Sequence, residues 1–93
     1  MLRTRVSRAI VGYRALGHHG ELGVVVDIRD EPNVDTDVIV VRGGVSNALT
    51  YLVPAARVRA LSCRDRTVSL GIDFPEFIPR LHDDGTVELR AVT

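Results

Sequence analysis

The residues able to do chemistry are few and scattered. His18 and His19 are adjacent, and His82 is the third histidine. Three imidazoles are a donor set for a zinc-like ion. Neighbours on a strand point to opposite faces, so shared ligation by His18 and His19 requires a turn. Gly17-His18-His19-Gly20 supplies one, and it reads as a solvated hairpin tip. Cys63 lies beside Arg64 and Arg66, which favour a thiolate. No local Cys-His arrangement gives it a base, so it reads as a structural cysteine. As the single cysteine it permits no internal disulfide and fits a reducing compartment. Asp27, Asp30, Glu31, Asp35 and Asp37 offer oxygen donors for a hard cation. Their spacing fits no metal loop and Pro32 interrupts them, so they read as a solvated strand end and loop. Gly43-Gly44 lacks the Lys-Ser/Thr of a phosphate loop. No catalytic residue, metal or cofactor is expected.

The arginines are the stronger signal. The 93 residues contain 12 Arg and no Lys, balanced by 12 acids to a formal net charge of zero. Arg57, Arg59, Arg64 and Arg66 form one cluster, and Arg3, Arg5 and Arg8 another. A guanidinium fork binds phosphate bidentately, so the first cluster is a candidate basic patch for RNA. Against that stand the neutral total and an aromatic content of 4% without Trp, too little for base-stacking platforms. Ion pairs within the fold or a protein interface explain the arginines better. The absence of lysine has no functional account.

The elements that must position these residues read as all-β. Val, Ile and Thr suit pleated strands and are abundant, whereas Lys and Gln are absent. Residues 1–8 read as an N-terminal arm, and 9–93 as one small domain. Strands are expected over Ala9–Leu16, over the stretch after Gly20, and over Val38–Val41, Ala48–Val53, Val58–Ala60, Val68–Leu70 and Val87–Ala91. In the second strand Leu22, Val24, Val26 and Ile28 alternate with polar residues, and Val25 breaks the pattern. Ala55-Ala56 reads as one helical turn or a bend. Phe74, Phe77, Ile78 and Leu81 recur at helical spacing after Asp73, with Pro79 limiting the run to one short turn near residues 74–78. Six to seven strands of this size point to a small closed or partly open β-barrel, because closure removes edges. No run of 18 apolar residues exists to span a membrane. The first residues lack the apolar run of a secretory signal, so a cytoplasmic location is expected.

The distribution of apolar residues adds a functional hint. Val25, Leu52 and one side of Val38–Val41 fall opposite the expected core. A second apolar face must be covered by the tail, a second copy or another protein. Val25, Ile39, Val41, Leu52, Phe74 and Phe77 are therefore the candidate interface, and a homodimer is expected.

The chain also resembles a known family between Val11 and Leu70. The segments that carry the resemblance are Gly20-Glu21-Leu22-Gly23-Val24-Val25-Val26-Asp27-Ile28 and Val38-Ile39-Val40-Val41-Arg42-Gly43-Gly44, then Tyr51-Leu52-Val53-Pro54-Ala55-Ala56-Arg57-Val58 and Thr67-Val68-Ser69-Leu70. In order and spacing they are similar to the PRC-barrel domain, named for the cytoplasmic domain of the photosynthetic reaction-centre H subunit. That family also includes the C-terminal domain of a ribosome maturation factor and many short prokaryotic proteins. The resemblance implies a small β-barrel that binds other proteins and carries no catalytic motif. The chain lacks the H subunit's membrane helix and the maturation factor's N-terminal domain, and the resemblance stops before Asp73. The leading expectation is a non-enzymatic, self-associating protein-binding module. The alternatives are an RNA- or ribosome-associated factor using the arginines and a small metal-binding protein.

Overall fold

A computed structural model describes residues 4–31, 35–72 and 76–91. Among these residues eight strands build one sheet: β1 (Arg14–Gly17), β2 (Gly20–Asp30), β3 (Asp37–Gly43), β4 (Leu49–Pro54), β5 (Val58–Ser62), β6 (Thr67–Leu70), β7 (Phe77–Leu81) and β8 (Val87–Ala91). Their order is β5-β6-β1-β2-β3-β4-β8-β7. The centre is a consecutive antiparallel meander, β1 to β4. A hairpin docks on each side through a parallel pairing, β6 on β1 and β8 on β4. The protein is all-β, as expected, and the sheet stays open because β5 and β7 are not paired to each other. It nevertheless curls: Val68 and Leu70 of β6 share one core cluster with Phe77 of β7. Among the described residues no helix is long and apolar enough to cross a membrane.

Strand β7 covers residues whose spacing predicts a helical turn. Phe77–Leu81 pairs antiparallel with β8 across the Asp84-Gly85 turn. The helical stripe fails on exposure: Phe77 is buried, whereas Ile78 is 59% and Leu81 73% exposed. Pro79 has no N–H to give a helix and fits an edge strand, which β7 is. Phe74 lies outside the described residues. The first strand is also shorter than expected. A 3-10 turn, Arg8–Ile10, precedes it and is capped by Ser7, whose hydroxyl accepts from the Ala9 N–H at 3.1 Å. The segment read as an arm is tied down from Thr4 onward. Thr4 pairs with the backbone of Asp35 and Asp37, and the Val6 N–H donates to the buried Asp37 carboxylate at 3.1 Å.

A β-bulge inverts the expected face of β2. Val25 pairs with Val41, but Asp27 pairs with Val40, leaving Val26 extra. The extra residue shifts the period-two phase. Val25 therefore turns inward at 1% exposure, while Val24 and Val26 are each 40% exposed. Further along, β2 and β3 touch backbone to backbone. A Cβ on Gly23 would run into Arg42 and Gly43, and one on Gly43 into Leu22 and Gly23. Only glycine on both strands permits that approach and the tight coil it produces.

The main core joins Ile10, Ala15, Val25, Ile28, Ile39, Val41, Tyr51, Val53, Val68, Leu70, Ile72 and Phe77. The Tyr51 and Phe77 rings meet edge to face, with centroids 5.2 Å apart. On the opposite side of the sheet Val38, Val40 and Leu52 form a second buried cluster. The run Val38–Val41 is thus covered on both faces. Since Phe77 is buried in the main core against Tyr51, Phe77→Ala is expected to cost about 3–5 kcal/mol in urea unfolding; a loss under about 1 kcal/mol would mean this ring is not part of the core.

Candidate functional site

The second face is where the sheet offers a surface of its own. Register places Val40 beside Leu52 and Leu52 beside Arg90, with Ile78 beyond. The neighbouring row carries Val24, Arg42, Thr50, Glu88 and Arg80. Aliphatic residues thus sit at the middle of this face, with charged ones around them. Arg90 reaches over the aliphatic patch to Glu31, Nη1 to Oε2 at 3.3 Å. Its stem covers apolar surface while its head stays in water.

Two cavities open here. One, of about 540 Å³, is lined by Pro54, Ala56 and Ala91 over the buried Val38 and Leu52, with Thr36, Asp35, Arg57 and Arg90 also at its walls. The second, of about 560 Å³, is charged: Arg29 and Arg42 line it together with Asp83, Asp84 and Glu88. The first is a mainly apolar groove with a mixed-charge rim. The second has no apolar floor.

The candidate interface residues divide between the two faces. Val25, Ile39, Val41 and Phe77 belong to the main core and are not at a surface, so their assignment to an interface is corrected. The bulge at Val26 accounts for Val25, and strict alternation in β3 accounts for Ile39 and Val41. Leu52 lies on the second face but is only 1% exposed, so it is not at a surface either. Phe74 falls outside the described residues.

The four clustered arginines make different contacts. Arg57 closes the short 3-10 turn after β4, Ala55–Arg57, and serves the fold. Its Nη1 donates to the Gly71 carbonyl at 2.8 Å, and its Nη2 pairs with Glu76 Oε1 at 2.8 Å. The Gly71 N–H returns to the Arg57 carbonyl at 2.8 Å. Arg59 packs against bare Gly71. Arg66 lies over the Tyr13 ring, 5.7 Å from its centroid. Arg64 stands exposed in the β5–β6 turn.

The remaining chemistry-bearing residues stay apart. His18 and His19 line a small cavity with Ile72, whereas His82 pairs with Glu88 at 3.4 Å in the β7–β8 hairpin. Among the described residues no group of three or more His, Cys, Asp or Glu could hold a metal ion. Cys63 is exposed, and its hydrogen bond to Tyr13 pushes that phenol above its ordinary range. Within the acidic stretch Asp27 pairs with Arg8 at 2.9 Å, Glu31 with Arg90, and Asp37 with the Val6 N–H. Sequence reasoning missed Arg29, Arg42 and the Asp83-Asp84 turn as one assembly. The available signal was outward phase, since Arg42 directly follows the inward Val41.

No protein-family model matches the chain, and no curated protein matches it.

Arg57 spans three backbone segments, so Arg57→Ala is expected to cost roughly 1.5–3 kcal/mol in chemical denaturation. Arg57→Lys recovers little, because one ammonium cannot reach both acceptors as a fork does. Acid sensitivity follows from two carboxyls held below their ordinary range. The Ile28 N–H, then Arg8, lowers Asp27; the Thr86 hydroxyl, then its N–H, lowers Asp84. A carboxyl depressed by folding stabilises fully above the unfolded value, about pH 4, and that stabilisation fades as pH falls through the lower folded value. Asp27→Asn with Asp84→Asn should therefore flatten the acid limb of stability against pH; an unchanged acid limb would contradict this.

Proposed function

We propose that the protein is a non-enzymatic protein-binding or scaffold module of the PRC-barrel type, cytoplasmic and self-associating. The observation that carries this reading is the groove over Val38, Leu52, Pro54 and Ala56. An apolar floor ringed by charges of both signs is the anatomy of a protein-binding patch. The all-β sheet, with one core shared by β6 and β7 near its two ends, supports the reading. Self-association is supported by apolar side chains on the same face, Val24 and Ile78. The RNA reading is weaker because Arg57 and Arg66 are engaged within the chain.

Ala56 tests the groove because it is exposed and its side chain borders the cavity. Ala56→Arg should fill the groove while leaving the unfolding midpoint near that of the wild type. Immobilised wild-type protein and the variant are compared in native lysate, with captured proteins identified by mass spectrometry. Loss of the wild-type set by the variant is expected. Identical sets would sink the groove as the binding site.

A further inference from the structure

We infer that a second copy of this chain docks on the charged cavity, with Arg29 and Arg42 of each copy facing the Asp83-Asp84 turn of the other. This rests on the self-association in the proposed function and gives it a location.

The cavity has walls of opposite sign. Arg29 on β2 and Arg42 on β3 form one, and the β7–β8 turn with Asp83 and Asp84 forms the other. Among the described residues four other arginines find a carboxylate within the chain: Arg8, Arg14, Arg57 and Arg90. Among the described residues no side-chain hydrogen bond or ion pair engages Arg42 or Asp83, and Arg29 makes none either but helps to lower the Asp27 carboxyl from a distance. The two walls therefore face one cavity without pairing across it. Asp84 is fixed in place by Thr86, whose hydroxyl donates to its carboxylate at 2.6 Å.

A two-fold axis exchanges the walls. In an isologous contact, if residue i meets residue j then j meets i. Each positive wall then meets a negative one, and the same contact forms twice. A free anion is a poorer occupant, because it would enter beside Asp83, Asp84 and Glu88. A formal net charge of zero leaves no long-range repulsion between copies. Val24, partnered with Arg42 across the ladder, adds exposed apolar surface beside the positive wall. Edge-to-edge pairing is the less favoured route, because β7 contains Pro79 and β5 is irregular between Val58 and Ala60.

Charge reversal with complementation tests this on the full chain. Arg42 and Asp83 are both exposed, so Arg42→Glu and Asp83→Arg should fold normally. Mass is measured by sedimentation equilibrium at low salt. Wild type is expected to dimerise, and each variant alone to dimerise at least about tenfold more weakly, since like charges then oppose each other. An equimolar mixture should regain the dimer, because the carboxylate introduced at position 42 of one variant meets the guanidinium introduced at position 83 of the other. That regain also shows that both variants are folded. A wild-type dimer untouched by either substitution, or a mixture that stays as weak as its components, overturns this interface while leaving self-association standing. A wild type that is monomeric throughout overturns both.

Discussion

Everything at the open seam of this sheet depends on one guanidinium. Without a ladder between β5 and β7, the curl has to be held by something other than strand pairing. Arg57 does this from the turn after β4, binding the exit of β6 at Gly71 and the approach to β7 at Glu76. The planar fork suits the task because its two arms reach different acceptors at once. The pair is partly shielded, with the Arg57 side chain 25% exposed, so water competes with it less than with a surface pair. Beneath it, the Tyr51–Phe77 contact supplies the apolar half of the seam.

The fold was legible wherever local pattern decides structure. The strand runs around Val38–Val41, Ala48–Val53 and Val87–Ala91 all appear, as does the helical turn at Ala55-Ala56. Legibility ended where one residue changes phase or where distant pairing overrides spacing. Nothing local announces that Val26 is the extra residue of a bulge, yet it decides whether Val24 or Val25 faces the core. Phe77, Ile78 and Leu81 satisfy helical spacing, and only the partner strand across Asp84-Gly85 makes them a strand.

The site was legible in kind more than in position. A second apolar face was expected, and Leu52 with Val38 and Val40 provides it. The sequence does not carry the β2–β3 register, which decides the face of each β3 residue. Proximity in sequence also misled for charge. Arg57, Arg59, Arg64 and Arg66 are neighbours along the chain but serve different contacts, whereas Arg90 and Glu31 meet from distant parts of it. Ion pairs between strands belong to topology, which composition does not encode.

The two parallel pairings set an order of assembly. The meander β1 to β4 grows by turns between consecutive strands, so its loops close cheaply in entropy. The outer hairpins attach differently: β6 finds β1, and β8 finds β4, only after long stretches of intervening chain have been gathered in. Long-range closures of this kind are slow and come after local ones. Until they form, the flanks of β1 and β4 are unpaired strand edges, and a nascent chain is most exposed to misassociation at those two lines.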